Sequence, residues 1–376
     1  MIYLDNAATT GKKPYTVKNA VLKELEECAN PGRSSHKAGI RAQNKIYETR
    51  EALCSLFKTG NPENFILTPN ATYGLNFAIK GILKPFDHCI TTSMEHNSVL
   101  RPLYSLKKTE LTIVKGDKYG FVSPEEILKN VKANTRLIVI NHSSNVNGTI
   151  QNIEKTVKLL KPLNIPILID ASQSAGIIDI NWENFSLIAF PGHKGLYGPQ
   201  GTGGLYIKDG INLETIIEGG TGSESKLAYN PSYYPDRLES GTLNTPGISG
   251  LCEGIKFVLA HGIKNILEYE HYLCSKILDA LLNMTNVKVY SPPDINSITN
   301  SIAFNIDSLD STRVAEILDT SFDIAVRPGF HCAPLAHRTL DTENSGSVRV
   351  SVSYFNRISE IKAFIDAVYK ISAHYN

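Results

Sequence analysis

Two residues of opposite charge, Asp170 and Lys194, each follow a short run of apolar residues in this chain of 376 residues. The runs are residues 167–169 and 187–190, and short apolar runs of this kind are typical of buried strands. In an open α/β sheet, the residues just past the carboxyl ends of neighbouring strands face a common ligand crevice. We therefore expect the carboxylate and the amine to face the same crevice.

Pyridoxal phosphate requires two such groups of a protein: a lysine that forms a Schiff base and an acid that keeps the pyridine nitrogen protonated. Two alternatives compete with this hypothesis. The glycine-rich run 192–204 could bind a nucleotide, although it has neither the G-x-x-x-x-G-K-[ST] nor the G-x-G-x-x-G order. Lys194 could also be an ordinary solvated lysine of a loop. The ends of the other predicted strands help to decide between these possibilities.

Polar residues follow the ends of five predicted strands. They lie in the segments 70–72, 95–96, 141–145, 170–173 and 193–194. The first segment stands where a helix begins, which suits an anion, but Asn70 could equally be only the N-cap of that helix. His96 could stack on a planar ring or simply form hydrogen bonds. Because all five strand ends carry such groups, we predict a ligand site at the carboxyl-terminal edge of one sheet.

Cys332 lies in the sequence RPGFHCAP, residues 327–334, where glycine and proline indicate a loop. Arg327 and His331 could favour the thiolate, the reactive form of cysteine, so Cys332 is a candidate nucleophile. A buried structural cysteine is one alternative. A metal site formed with His331 and His337 is the other, but no second Cys/His pair at ligand spacing accompanies it, so we expect no metal.

The composition argues against several classes of protein. The 38 basic and 37 acidic side chains nearly cancel, so neither nucleic acid nor an anionic membrane is an expected partner. No apolar run approaches the roughly 18 residues of a membrane span, and the first residues lack the pattern of a signal peptide. The six cysteines form no C-x-x-C pair and are expected to be free thiols in a reducing compartment. These features predict a cytoplasmic protein.

Apolar strand patterns alternate with helical patterns between residues 65 and 207. This alternation predicts a mostly parallel sheet with helices on both faces. Helical patterns over 15–28 and 39–58 precede it. The turn-rich loop between these helices, residues 30–36, could be functional or an ordinary surface turn.

The pattern changes after Pro246, where two long helices lead to strands that alternate with helices. The change predicts a smaller α+β unit that follows the large sheet. We predict a large domain over residues 13–255 and a small domain over residues 256–376. The N-terminal arm, residues 1–12, is expected to pack nearby.

Taken together, these motifs resemble those of the class V aminotransferase family, and within it the group II type of cysteine desulfurase. The resemblance covers essentially the whole chain. It is carried by the segments 3–10, 30–36, 95–96, 144–145, 170–173, 192–194, 239–247, 329–333 and 348–351. It implies an α/β protein with the pyridoxal phosphate-dependent transferase fold (aspartate aminotransferase-like, fold type I). That fold has a large, mostly parallel sheet domain and a smaller α+β domain, and the family resemblance also implies a homodimer.

The resemblance implies which residues surround the cofactor ring. Lys194 would bind pyridoxal 5'-phosphate covalently, Asp170 would face its pyridine nitrogen, and Gln173 would face its ring hydroxyl. His96 would stack on the ring and act in catalysis. Asn145 would lie beside the ring, where the substrate also binds.

Further residues would hold the cofactor phosphate and the substrate. Ala71, Thr72 and His193 would bind the phosphate within one subunit. Thr242 would reach the phosphate of the neighbouring subunit, so that the site would need a dimer. Arg349 would bind the substrate carboxylate through two parallel hydrogen bonds, as a planar guanidinium does best.

The activity implied by the resemblance converts L-cysteine to L-alanine. Cys332, as a thiolate, would attack the substrate sulfur and keep it as a persulfide for an acceptor, either a protein or a small thiol. A selenocysteine lyase acting on L-selenocysteine is the nearest alternative. An aminotransferase or another lyase of the family, in which Cys332 has no role, is a more distant one.

The chain departs from the family pattern at three places near these residues. Pro191 stands where the family often has a serine that binds the phosphate, so one hydrogen bond is missing or replaced. Gly195 is an extra residue after the lysine. The cysteine loop has Phe330 and His331 where two histidines are common. These departures suggest a divergent branch and bear on the sulfur acceptor more than on the chemistry.

Overall fold

A seven-stranded sheet organises the computed structural model of this chain, which describes residues 1–27, 29–32 and 35–375. After a short first strand β1 (Ile2–Tyr3), its strands are β2 (Phe65–Thr68), β3 (His88–Thr92), β4 (Glu110–Val114), β5 (Thr135–Asn141), β6 (Ile167–Asp170), β7 (Leu187–Pro191) and β8 (Gly203–Ile207). Their spatial order is β2-β8-β7-β6-β5-β3-β4. Strand β8 is antiparallel to β2 and β7, and the other neighbouring pairs are parallel. The predicted mostly parallel sheet is confirmed.

Helices precede, connect and follow these strands. They are α1 (Tyr15–Glu26), α2 (Lys37–Phe57), α3 (Ala71–Ile82), α4 (Asn97–Ser105), α5 (Pro124–Lys129), α6 (Ile153–Leu160) and α7 (Thr245–His261). Most begin after a side chain that accepts a hydrogen bond from the first turn, as Asn70 does for α3 and His96 for α4. Helix α1 ends at Glu26, and Cys28, the predicted end, lies outside the described residues, as do Arg33 and Ser34 of the predicted loop.

Both faces of the large sheet are buried, because alternate residues of a central strand enter different apolar clusters. In β5, Ile138 and Ile140 belong to a cluster that includes residues of α2 and α7. Leu137 and Val139 belong to another, which includes residues of α3 and α4. Side chains alternate across a strand, so a continuous apolar run is what a sheet covered on both faces requires.

A second, antiparallel sheet forms a smaller α+β layer. Its strands are β9 (Val287–Val289), β10 (Ser301–Ile306) and β12 (Val348–Ser351), in the order β12-β10-β9. The helices α8 (Ile263–Leu282), α9 (Ser311–Phe322) and α11 (Ile358–His374) share an apolar cluster with these strands. Single turns of 3-10 helix lie at Pro62–Asn64, Lys161–Leu163, Trp182–Asn184 and Ile295–Ser297.

The N-terminal arm joins this smaller layer. Strand β1 pairs in parallel with β11 (Ile324–Ala325), and Leu4 is fully buried in the cluster of the smaller layer. A short helix that the sequence patterns did not predict, α10 (Pro334–Thr339), follows the Cys332 loop directly. Arg327, just before the Cys332 loop, forms an isolated bridge with Arg349.

Helix α7 contains the predicted domain boundary near residue 255. Ile255 and Val258 of this helix pack in the core of the large sheet, whereas Leu273 and Ile277 of α8 pack in the smaller layer. The division of the chain into domains at that residue stays a prediction. None of the described helices combines the length and apolar composition that crossing a membrane requires.

A buried acid, Glu270 of α8, connects the smaller layer to the segment that follows Lys194. Its Oε1 accepts a hydrogen bond from the hydroxyl of Tyr197 at 3.3 Å, and its Oε2 accepts one from Asn300 Nδ2 at 3.1 Å. Burial raises the pKa of Glu270 from 4.5 to about 8. Between those two pKa values the folded protein keeps a proton that the unfolded chain releases, so stability falls as pH rises.

As the pH rises from about 5 to about 8, we expect the free energy of unfolding of Glu270→Gln to fall less than that of the wild type. The difference in the free energy of unfolding is expected to grow by about 1.4 kcal/mol per pH unit, the value for one proton. Denaturant unfolding at several pH values measures it. Glu268→Gln, an exposed position on the same helix, is the control and should follow the wild type. Equal slopes for Glu270→Gln and the wild type would contradict the prediction.

Candidate active site

The carboxyl ends of β2, β3, β5, β6 and β7 meet at one edge of the large sheet, because these strands run in the same direction. A cavity of about 200 Å³ lies at this edge. It brings together eight of the residues predicted from the sequence: Ala71, Thr72, His96, Asn145, Asp170, Gln173, His193 and Lys194. The remaining three, Thr242, Cys332 and Arg349, lie outside its lining.

A larger cavity, of about 640 Å³, lies at the opposite edge of the same sheet. It is lined by Ile167 at the start of β6, by Ser186 before β7 and by Lys208 after the reversed strand β8. No predicted site residue lines it. Because the predicted site residues line the smaller cavity, the smaller cavity is the candidate active site.

Lys194 follows β7 in a segment that leads to the antiparallel strand β8 and not to a helix, unlike a nucleotide-binding loop. Gly195 makes this path possible, since a Cβ at that position would lie 2.5 Å from the carbonyl oxygen of Ala175. The pKa of Lys194 is lowered to about 8, chiefly by burial and also by the guanidinium of Arg349, while Asp170 opposes the shift. Lys194 is therefore not an ordinary solvated lysine.

The N-terminal arm holds the backbone around Lys194. The carbonyl oxygen of His193 accepts hydrogen bonds from Thr10 N at 3.1 Å, from the hydroxyls of Thr9 and Thr10, and from Lys13 Nζ at 2.9 Å. The same arm contributes the carbonyl of Ala7, which accepts a hydrogen bond from Gln173 Nε2 at 3.1 Å. These contacts fix the turn that presents the amine.

Asp170 is the last residue of β6 and is buried, and one of its carboxylate oxygens accepts hydrogen bonds from Ser172. Oδ1 accepts hydrogen bonds from Ser172 N at 2.9 Å and from Ser172 Oγ at 2.5 Å. Because both contacts involve Oδ1, Oδ2 can accept a proton-bearing nitrogen of a ligand. Strand β6 pairs with β5 so that Asp170 lies opposite Asn141, which also lines the cavity.

His96 is the N-cap of α4 and is neutral. Its Nδ1 accepts a hydrogen bond from Ser98 N at 3.0 Å and lies 2.9 Å from Ser98 Oγ. Because Nδ1 is an acceptor, the ring proton is on Nε2. Burial lowers the pKa of His96 to about 4; Asp170 opposes this shift, and Lys194 adds to it.

The first turn of α3 faces the same cavity. Asn70 is indeed an N-cap, since its side chain accepts a hydrogen bond from Tyr73 N at 3.2 Å, and it lines the cavity as well. Free backbone N–H groups at a helix N-terminus favour an anion. Two buried polar atoms of the lining, His193 Nδ1 and Asn141 Oδ1, have no partner among the described residues. Both atoms are available to a ligand.

Arg349 lies on β12, fully buried beside the cavity. Its Nη1 donates to the carbonyl of Asn145 at 2.7 Å, and its Nη2 donates to Asp5 Oδ1 at 2.7 Å. Its Nε is buried and has no partner among the described residues. Asp5, which we did not single out from the sequence, therefore orients the guanidinium and offsets its charge.

The Cys332 loop is anchored to residues that flank the cavity. Asn97 N donates to the carbonyl of Cys332 at 2.7 Å, and Asn145 Nδ2 donates to the carbonyl of His331 at 2.6 Å. His331 and Cys332 both have left-handed backbone conformations, with φ of 48° and 57°, which cost on the order of 1 kcal/mol each. Cys332 itself is exposed, so it is not a buried structural cysteine.

His331 does not supply the positive charge that the sequence led us to expect beside Cys332. It is buried, and burial lowers its pKa well below the usual value; the charge of Arg349 lowers it further. The ring is therefore neutral near pH 7. Phe330, in contrast, is half exposed on the same loop and packs edge-to-face against His337, with ring centroids 5.4 Å apart.

Thr242 lies apart from these groups. It is exposed and lines a different cavity, of about 350 Å³, together with Tyr73 and Asn244. The structure describes one chain, so the contact with a neighbouring subunit that the sequence implies stays a prediction.

The most informative residue that the sequence analysis missed is Ser98. It lines the cavity, contacts His96 and lies 2.7 Å from Thr72 through the two hydroxyl oxygens. The available signal was a hydroxyl in the first turn of a helix that His96 caps. Lys13 and Asp5 carried no local signal, because their partners are about 180 and 344 residues away.

These features agree with the comparison to known proteins. The family described as aminotransferase class-V matches residues 2–364, and the chain belongs to that family. A probable cysteine desulfurase of Methanothermobacter thermautotrophicus is 31% identical over 382 residues, covering 99% of this chain and 94% of the relative. One from Borreliella burgdorferi is 32% identical over 391 residues, covering 99% of this chain and 92% of the relative.

A solved structure gives the same result for the fold. The apo structure of a cysteine desulfurase from Thermococcus onnurineus NA1 matches with a TM-score of 0.93 and 30% identity, covering 99% of this chain and 95% of that chain. The predicted pyridoxal phosphate-dependent transferase fold and the class V family are therefore confirmed.

Proposed function

We propose that this protein is a pyridoxal phosphate-dependent cysteine desulfurase, which converts L-cysteine to L-alanine and retains the sulfur on Cys332. The observation that carries this proposal is a combination of groups. A lysine and a buried carboxylate line one cavity, and an exposed thiol lies on a loop bonded to two residues beside that cavity. Relatives named cysteine desulfurases match nearly the whole chain, which supports the enzyme class.

The residues present fit the cofactor. The first turn of α3 and the hydroxyl of Thr72 suit its phosphate. His193 Nδ1, which has no hydrogen-bond partner within the described part of the chain, is available to the same group. Asp170 offers a carboxylate for the pyridine nitrogen. Lys194, whose pKa is about 8, offers an amine that can lose its proton near neutral pH. When bound, the cofactor withdraws electrons from the substrate carbon that carries the amine.

The chain's own groups have distinct roles around this centre. Asp170 would hold a proton at the pyridine nitrogen, and Gln173 would lie at the ring hydroxyl. Lys194 would hold the cofactor, and its amine would move the proton of the substrate α-carbon. His96, neutral with its proton on Nε2, would stack on the ring.

Arg349 binds the substrate carboxylate beside Asn145. Its buried Nε has no partner among the described residues, so it can donate to an incoming carboxylate without first breaking a hydrogen bond. Asp5, which accepts a hydrogen bond from Nη2, fixes the orientation of the guanidinium. With the carboxylate bound there, the substrate sulfur would face the Cys332 loop, which Asn145 and Asn97 anchor.

Cys332 reacts as a thiolate with the sulfur of the substrate. A new S–S bond forms as the C–S bond of the substrate breaks, and the electron pair of that bond stays with carbon. The carbon takes up a proton and becomes the methyl group of alanine, while the enzyme keeps the sulfur as a persulfide. The exposure of Cys332 supports onward transfer to a protein or small thiol. A cytoplasmic location is part of the proposal.

The experiment that tests the proposed function measures alanine release from L-cysteine by the purified protein loaded with pyridoxal phosphate. We expect alanine to form in equal amounts with sulfide when a reducing thiol is present. L-selenocysteine, assayed in parallel, distinguishes a selenocysteine lyase, which would use it and leave L-cysteine unchanged. Transfer of the amino group to a keto acid without sulfide release would indicate an aminotransferase.

We also propose an obligate homodimer. Thr242 is exposed and lies apart from the cavity proposed to bind the cofactor of its own subunit. Its predicted partner is therefore the cofactor phosphate of the neighbouring subunit. We expect the loaded protein to be a dimer by light scattering. Thr242→Ala should weaken cofactor binding by about tenfold, the loss of one hydrogen bond to a charged group. The same measurement on Thr312→Ala, an exposed threonine of α9, serves as the control. A fully active, cofactor-loaded monomer would contradict the proposal.

A further inference from the structure

The phosphate end of the proposed cofactor site lacks one donor that the family often uses. Pro191 ends β7, lines the cavity and has neither a side-chain hydroxyl nor a backbone N–H to donate. It pairs with Gly203 of β8, and a Cβ on Gly203 would lie 3.0 Å from the Cα of Asn70. Pro191 is therefore next to the N-terminus of α3, where the phosphate is proposed to bind.

We infer that Ser98 is a ligand of the cofactor phosphate and supplies the donor that Pro191 cannot. The inference rests on the proposed function, since it concerns the phosphate of the same cofactor. It is based on the position of the Ser98 hydroxyl, on its partners and on the two helices that meet there.

The hydroxyl of Ser98 lies beside the threonine proposed as a phosphate ligand. Ser98 Oγ and Thr72 Oγ1 are 2.7 Å apart, and both residues line the cavity. In a pair of hydroxyls at this distance, one donates to the other and only one proton remains for a ligand. An anion that accepts from both would turn the pair into two parallel donors.

The backbone of Ser98 leaves its hydroxyl free for this role. Ser98 N already donates to His96 Nδ1 at 3.0 Å, so the imidazole does not depend on the hydroxyl to fix its proton on Nε2. Ser98 Oγ lies 2.9 Å from the same nitrogen and can turn from it to a stronger, charged acceptor. The hydroxyl therefore lies between the ring-stacking histidine and the phosphate threonine.

Two helix N-termini converge at this point. Ser98 is in the first turn of α4, and Thr72 is in the first turn of α3. The partial positive charge at both ends favours an anion between them. The site thus combines two hydroxyls and two helix ends with His193 Nδ1 of the same cavity lining, an atom without a partner in the residues that the structure describes.

The test compares cofactors with and without the phosphate. We expect Ser98→Ala to bind pyridoxal 5'-phosphate about tenfold to hundredfold more weakly in equilibrium dialysis, the cost of one hydrogen bond to a charged acceptor. Its affinity for pyridoxal, which has no phosphate, should stay unchanged. Ser98→Thr, which keeps the hydroxyl, should bind both ligands as the wild type does. Ser105→Ala, an exposed serine at the end of α4, is the matched control.

The possible results separate this inference from the proposed function. A wild-type protein that binds no pyridoxal 5'-phosphate would overturn both. A wild-type protein that binds it, with Ser98→Ala binding equally well, would overturn the inference and leave the function standing. If Ser98→Ala lost affinity for both ligands to the same extent, the hydroxyl would act through His96 and not on the phosphate, and the inference would again be wrong.

Discussion

Cys332→Ser is expected to stop alanine release from L-cysteine almost completely, with a fall in rate of at least about a thousandfold. The hydroxyl is a far weaker nucleophile toward sulfur than the thiolate and cannot form a persulfide. Cofactor binding should be unchanged, because the thiol lies outside the cavity lining. The assay is alanine formation by the loaded enzyme, together with the absorbance of the bound cofactor.

The other cysteines provide the control for this prediction. Cys54 is the least buried of the remaining described thiols, and burial raises its pKa. Cys54→Ser should therefore keep the wild-type rate. Alkylation should modify Cys332 first, since Cys89, Cys252 and Cys274 are buried with raised pKa values. After a pulse of L-cysteine, mass spectrometry should locate the extra sulfur on Cys332.

If Cys332→Ser formed alanine at the wild-type rate, the proposed cysteine desulfurase function would be wrong. A lyase or an aminotransferase of the same family, in which the thiol has no part, would then explain the site. L-selenocysteine is a useful second substrate for the variant. Selenium leaves carbon more readily than sulfur, so some turnover of selenocysteine by Cys332→Ser is compatible with the proposed mechanism.

Lys194→Ala is expected to abolish both covalent attachment of the cofactor and turnover. Lys194 lines the cavity, and its lowered pKa makes the free amine available near pH 8. We expect borohydride reduction to attach pyridoxal phosphate permanently to the wild type, at Lys194, and to leave the variant unlabelled. Peptide mass spectrometry after reduction identifies the modified residue.

Lys13 provides the stringent comparison for this experiment. Burial also lowers its pKa to about 8, so acidity alone does not distinguish the two amines. Its Nζ, however, donates to Thr10 Oγ1 and to the carbonyl of His193, whereas Lys194 faces the cavity. Lys13→Met should keep the label at Lys194. Labelling of Lys13 in the Lys194→Ala variant, with turnover retained, would show that Lys194 was assigned wrongly.

Local pattern in the sequence was sufficient to predict the strands of the large sheet and the polar residues at their carboxyl ends. The run before Asp170 is apolar without interruption, since both faces of β6 are covered, and this makes the strand visible without knowledge of its neighbours. Parallel strands then bring their carboxyl ends to one edge. That rule predicted that Asn70, His96, Asn145, Asp170 and Lys194 would be close, and all five line one cavity.

The electrostatic state of the site depended on burial, which the sequence did not reveal. His331 next to Cys332 suggested a positive charge, yet the folded chain buries the ring and keeps it neutral. Lys194 suggested either a cofactor lysine or a solvated one, and burial in the folded chain is the main cause of its lowered pKa. Desolvation is a property of the surrounding packing and cannot be read from adjacent residues.

The sequence by itself determined the class of fold and most of the residues that meet at the cavity, because periodicity and strand-end position are local properties of the chain. Only the tertiary structure decided which other groups orient these cavity residues. Asp5 binds Arg349, Lys13 binds the carbonyl of His193, and Ser98 approaches Thr72, all across turns or chain reversals that no short-range pattern specifies. These contacts join the N-terminal residues to β12 and to the segment after β7, and α3 to α4, so they depend on how distant parts of the chain pack together.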